Sequence, residues 1–127
     1  MRRAIPHPAS SADRPAVLTK ATLEAARRLG VINRVLAKEL GLSEATISRM
    51  QNSKYTLDLE DKSFELAVLF VRLYRSLDAI VGGDDAVAAA WLKNRNSALK
   101  REPIALIQTT SGLTDVIAYL DARRALI

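Results

Sequence analysis

The chain has no cysteine, one histidine and very few aromatic rings. Without thiols it can form no disulfide, no thiolate-held zinc site and no cysteine nucleophile. His7 stands between Pro6 and Pro8 with no second histidine anywhere, so it offers neither a metal cluster nor a placed imidazole base. An aromatic share of 5% argues against a platform on which single-stranded bases stack. Long apolar runs are also missing. Leu66 to Val71 is broken by Arg72 and falls well below the roughly 20 residues needed to span a bilayer. Arg2 and Arg3 are not followed by an apolar stretch of signal-peptide length, so a cytoplasmic protein without membrane attachment is expected. The carboxylate pair Asp84-Asp85 follows Gly82-Gly83, where helix capping explains it. No lysine or further glycine turns Gly82-Gly83 into a phosphate loop. The expectation is a non-enzymatic chain with no metal and no cofactor.

What is present is charge and apolar pattern. The 127 residues are 49% hydrophobic and 26% charged, enough for one compact unit or two very small ones sharing a helix. The net charge of +5 suits a polyanionic partner. Its placement is more telling: residues 1–60 hold ten Lys/Arg against six Asp/Glu, whereas residues 61–127 hold nine against eight. The excess lies in the first half.

That half contains NRVLAKELGLSEATISRMQN, Asn33 to Asn52, whose layout is that of a helix-turn-helix DNA reader. Leu36 and Leu40 lie one turn apart and face a core, and Ala37 is small enough for a second helix to cross. Gly41 ends the first helix because a residue without Cβ takes the left-handed cap cheaply. Leu42 plugs the turn and Ser43 caps the next helix, whose buried edge is Ile47 and Met50. Glu44, Ala45, Ser48, Arg49 and Asn52 then point outward. Arg49 is the candidate for a base edge, with guanine the expected base, and Glu44, Ala45 and Ser48 lie beside it. Asn33, Arg34 and Lys54 are placed to hold phosphates, and the partner would be double-stranded operator DNA.

Around this unit the pattern is helical throughout. Met1 to Pro15, with three of the four prolines, is expected as a flexible tail. Thr19 is expected to cap a first helix reaching Leu29, where Gly30 stops it. Ser53 to Leu59 reads as a loop. Leu59 to Val81 forms the longest helix, apolar nearly all round, which implies burial on both sides. Either a second subunit packs on it or a single-chain core wraps it, and a homodimer through this helix is the favoured expectation. Asp84 caps a further helix through Trp91-Leu92. KNRNSALKRE forms a polar connector, Pro103 opens a short helix, and Thr110 or Ser111 starts the last. The fold class is all-α with about seven helices: a helix-turn-helix bundle over 16–69 joined by the long helix to a small helical domain over 70–127.

From Glu65 onward the chain resembles the Xre/MbcA/ParS family of antitoxins. The resemblance rests on ELAVLFVRLYRSLDAIVGGDDAVAAAWL, on Asn96, Leu99 and PIALI, and on GLTDVIAYLDARR. It implies a type II toxin–antitoxin pair in which the C-terminal domain and tail lie against a RES-domain, NAD-degrading toxin near its active site. It implies too that the N-terminal half represses the operon, as a dimer or within a larger complex. Matching positions Trp91, Asn96, Leu99, Pro103, Ile104 and Ile107 frame the toxin-binding module, and Gly112, Val116, Tyr119 and Leu120 continue it. Trp91, Leu99, Ile107, Val116 and Leu120 are expected as core. The implied toxin-binding set is Asn96, Lys100, Arg101, Pro103, Ile104, Gly112, Tyr119, Arg123, Leu126 and Ile127. One departure stands out: relatives often carry a Gly-Gly-type turn before the proline, and here Lys100-Arg101 occupies it. The competing reading is a free-standing helix-turn-helix regulator whose C-terminal half only dimerises; an adaptor without DNA binding is a weaker third.

Overall fold

A computed structural model describes residues 13–126, which form seven helices and no strand. The chain runs α1 (Arg14–Leu29), α2 (Asn33–Leu40), α3 (Glu44–Gln51), α4 (Lys62–Ile80), α5 (Asp85–Lys93), α6 (Pro103–Leu106) and α7 (Thr110–Arg124). Helix α1 begins five residues before the expected Thr19 cap. Pro15 does not delay it, because a proline in the first turn lacks only an N–H that the helix would leave unpaired. The expected tail therefore ends earlier than Pro15, and its first twelve residues, with Arg2, Arg3 and His7, lie outside the described residues. Thr19 is buried mid-helix and acts as a clamp. Its hydroxyl donates to the Pro15 carbonyl at 2.6 Å and accepts from the Leu57 amide at 3.0 Å. That pins the α3–α4 connection, with Leu57 fully buried inside it.

Helix α4 is the axis of the molecule. It starts at Lys62, three residues later than its apolar pattern suggested, because Asp58 to Asp61 form a turn instead. In that turn the Asp58 carboxylate accepts from the Glu60 amide, and its carbonyl from the Asp61 amide. Helices α1, α2, α5 and α7 of the same chain pack on α4. They bury Phe64, Leu66, Ala67, Phe70, Val71, Leu73 and Leu77. The apolar circumference that suggested a second subunit is thus largely covered within one chain, and Val68, 46% exposed, is what remains. Apolar periodicity reports that a face is buried without saying by what.

The N-terminal unit and the C-terminal unit share α4 and are stapled across it. Arg72 of α4 pairs with Asp121 of α7. Buried Ser76 donates to Asp121 at 3.3 Å and accepts from Arg124 at 3.4 Å. Arg28 of α1 reaches Asp85 of α5 at 3.4 Å. Gly82 and Gly83 both take positive φ, which lets the chain reverse from α4 into α5. Asp84 then caps α5, its carboxylate accepting from the Val87 amide at 3.1 Å. Among the described residues no helix is long and apolar enough to cross a membrane.

Candidate nucleic-acid interface and partner surface

The α2–turn–α3 unit is built as its residues require. Gly41 sits at φ 69° and closes α2, its amide reaching back to the Ala37 and Lys38 carbonyls. Ala37 is buried where α3 crosses α2. The Ser43 hydroxyl accepts from the Thr46 amide at 3.1 Å and fixes the start of α3. Ile47 and Met50 are buried beneath, and Leu42 is half-buried in the turn. Glu44, Ala45, Ser48, Arg49 and Asn52 are all exposed on the opposite side, as are Ser43, Arg34 and Lys54.

Besides the Ser43 cap, two of the residues expected to contact DNA have side-chain partners within the protein. The Arg49 guanidinium donates to the Thr46 hydroxyl at 2.9 Å, so it folds back along α3. Reaching a base edge requires it to give up that bond, a loss of about 1 kcal/mol. Asn33 exchanges two amide hydrogen bonds with Gln51, at 3.0 and 3.2 Å. The pair locks the start of α2 to the end of α3. Gln51 was absent from the sequence-derived set, although it lies three residues after Ser48 and seven after Glu44, the spacing of one helix face.

Beneath the face lies a group the sequence did not flag. Glu39 of α2 is 3% exposed and neither carboxylate oxygen has a hydrogen-bond partner. Burial pushes its carboxyl up to about 9, so it is protonated and neutral at pH 7. On α1, by contrast, hydrogen bonds from Arg27 and Arg28 hold exposed Glu24 down at about 2.

The C-terminal unit divides the resemblance-derived set into builders and presented groups. Asn96 is a builder. Its carboxamide oxygen accepts from the Leu99 amide at 2.9 Å, and its backbone closes a tight turn with Lys100 and Arg101. Lys100 adopts φ 65°, the left-handed conformation a glycine would take without strain. The turn keeps a glycine-like backbone at a lysine and presents the two cations outward. Pro103 is buried at the start of α6, and Ile104 is half-buried. Gly112 is a packing residue as well: a Cβ there would lie 2.1 Å from the Leu106 carbonyl oxygen. Pro103 and Gly112, expected as contact residues, are thus both buried in the free chain.

Ile107, Val116 and Leu120 are fully buried, as expected of a core. Trp91 and Leu99 are only half-buried, which corrects their placement there. Trp91 instead stacks on Tyr119, with ring centroids 6.1 Å apart and planes inclined by 20°. The Arg123 guanidinium sits 5.9 Å from the Tyr119 centroid on the same side of α7. Trp91, Tyr119 and Arg123 form a partly solvent-facing column, and Leu126 beyond them is 82% exposed. Ile127 lies outside the described residues. Aromatic and arginine side chains held in a fixed stack are the groups that most often anchor protein interfaces.

A capped helix-turn-helix with an exposed polar face, joined through one helix to a unit that presents an aromatic–arginine column, defines a two-headed helical protein of the helix-turn-helix class. Residues 8–72 match the antitoxin Xre-like helix-turn-helix domain, and residues 76–125 match the antitoxin Xre/MbcA/ParS C-terminal toxin-binding domain. The chain belongs to the Xre/MbcA/ParS family of antitoxins. Among curated proteins no individual relative matches it.

Proposed function

We propose that this antitoxin neutralises a RES-domain, NAD-degrading toxin and represses its own operon by binding operator DNA as a homodimer in the cytoplasm. The observation that carries the reading is the coexistence, on one α4, of a helix-turn-helix with an exposed polar face and a toxin-binding domain with a preformed aromatic column. The functional division falls inside α4, with the DNA-binding unit over 16–69 and the toxin-binding unit over 70–127. The chain itself is a binder, with no catalytic role for any residue.

On the DNA side Arg49 reads a base edge after leaving Thr46, flanked by Glu44, Ala45 and Ser48. Asn33 acts together with Gln51, and Arg34, Ser43, Asn52 and Lys54 line the surrounding phosphates. On the toxin side Tyr119, Arg123, Lys100, Arg101, Ile104 and the Leu126-Ile127 end make the contacts, with Trp91 supporting Tyr119. Asn96, Pro103 and Gly112 hold that surface in shape.

The test is co-purification of the chain with the product of the adjacent reading frame, combined with an assay of NAD depletion. The expected result is a stable complex in which NAD loss stops, and in which Tyr119→Ala releases the toxin. An adjacent product that neither binds nor consumes NAD would overturn the toxin assignment.

A further inference from the structure

The second half of the chain is nearly neutral as a whole, yet its charge is unevenly placed. Residues 93–102, the end of α5 and the connector to α6, hold four Lys/Arg against Glu102 alone. The rest of residues 61–127 hold five against seven Asp/Glu. Lys93, Arg95, Lys100 and Arg101 are all exposed, and none makes an ion pair among the described residues. A cationic run is usually a solvated face, so the place where this one begins decides its meaning.

It begins against the helix-turn-helix. Helices α1 and α5 pack together, with Arg28 of α1 paired to Asp85 at the start of α5. At the other end of α5, a Cβ on Gly30 would lie 3.5 Å from the Lys93 ammonium and 3.9 Å from the Ala89 side chain. The last turn of α5 therefore abuts the α1–α2 turn. Gly30 stands three residues before Asn33, a span of at most about 11 Å. Asn33 is bonded in turn to Gln51 at the end of α3. Lys93, the Asn33–Arg34 start of α2 and the end of α3 thus form one continuous surface. The neighbouring cations on α1 are already neutralised, Arg27 by Glu24 and Arg28 by Glu24 and Asp85. Arg34 and Lys93 have no acidic partner among the described residues.

Duplex DNA carries one charge for about every 1.7 Å of its axis. A backbone seated on Asn33 and Arg34 therefore continues past an exposed ammonium roughly 10–15 Å away. We infer that the C-terminal unit also holds DNA, with Lys93 at the end of α5 contacting a backbone phosphate beside those of Asn33 and Arg34. The inference rests on the proposed operator binding and carries it across the division inside α4. Such a contact adds affinity and fixes orientation without reading sequence. The competing role for Lys93 is structural, an ammonium set near the carbonyl end of α1 and complementing its dipole. Salt separates the two roles, because only a phosphate contact releases a counterion from DNA.

The test is fluorescence anisotropy of the full chain across a range of salt concentrations. One labelled duplex comes from directly upstream of the gene, and a random-sequence duplex of equal length accompanies it. The parent is expected to bind both and to prefer the first. Lys93→Gln keeps the stem and removes the charge. It is expected to weaken both complexes alike, by about fivefold or more near 0.1 M salt, and to lower the salt slope by about 0.9. Lys93→Arg is expected to retain the parental slope. Arg75→Gln removes the same charge from an arginine-rimmed trough between α1, α4 and α7, where it stands with Arg14 at the opposite end of α1. Its slope is expected to match the parent's. An unchanged slope in Lys93→Gln overturns the inference whether or not the melting temperature falls, since a structural lysine alters stability alone. An equal drop in Arg75→Gln overturns it too, by reducing the effect to net charge. A parent that binds neither duplex removes the operator reading and this inference together. A parent that keeps its preference while Lys93→Gln matches its slope overturns this inference alone.

Discussion

The two heads of this molecule are prepared for their partners in different ways. On α3 the polar groups stand exposed or fold onto one another: Arg49 rests on Thr46, and Asn33 is paired with Gln51. These bonds are worth little in net terms and are readily exchanged for bonds to DNA. On α7 the proposed contact groups are stacked, Trp91 on Tyr119 and Arg123 beside it, over a fully buried Val116 and Leu120. Such a column carries its shape into the complex and gains affinity from burial. The proposed reading face keeps donors that can reorient, whereas the proposed toxin-facing column is set beforehand.

The comparison breaks most severely at Gly112. Replacing it with alanine drives a Cβ into the Leu106 carbonyl, and α6 and α7 must separate. The expected loss of stability is about 3 kcal/mol or more, visible in urea unfolding, with the Trp91 column disordered first.

Glu39 supplies the next largest effect, on the DNA side. Its folded carboxyl titrates at about 9 against an ordinary 4.5, so the fold retains a proton that the unfolded chain releases. This contribution is fully present below pH 4.5 and is lost as pH rises towards 9. At pH 7 the cost is roughly 3 kcal/mol, taking about 1.4 kcal/mol for each pH unit. Glu39→Met is expected to raise the melting temperature at pH 7 and to flatten the fall in stability between pH 5 and 9. An unchanged pH profile would show that the carboxyl finds a partner as a charged group.

Arg49→Ala tests the reading face alone. It should cost roughly 1–3 kcal/mol in operator preference while leaving toxin binding and melting temperature in place. A footprint identical to the parent's would move the base contact elsewhere, with Gln51 the next candidate. Tyr119→Ala probes the opposite head and should weaken toxin binding by about 2 kcal/mol with operator binding unchanged. Removing everything after Thr110 would not be a clean version of this test. Helix α7 contributes Leu113, Val116, Ile117 and Leu120 to the core and would take the fold with it.

The smallest effect concerns the turn. Lys100→Gly removes a left-handed lysine and should stabilise the chain by about 1 kcal/mol, measured by thermal unfolding. If lysine is retained there for its charge, the same variant will bind toxin less tightly while being more stable.

Much of this was legible in residue order because it rests on local rules. Gly41, Ser43, Asp84 and Pro103 act within a few residues of themselves, and each caps or opens a helix where its type demands. The misreadings share a different character. Pro15 looked like a breaker and is the first turn of α1; Leu59 looked like helix and is a tip held from 38 residues away, through Leu57 and Thr19. Gly112 and Pro103, expected as contacts, are buried. Accessibility follows from what packs above a residue, and spacing along one helix does not contain it.

By itself, then, the amino-acid order determined an all-α chain with a capped helix-turn-helix and an apolar helix running through its middle. Periodicity and capping are properties of one segment and its neighbours in the chain. Only the tertiary structure decided which side chains the two heads present. It set Trp91 against Tyr119, buried Glu39 without a partner, and left an arginine-rimmed trough between α1, α4 and α7. Each of these depends on residues brought together from distant parts of the chain, and long-range packing is what places them.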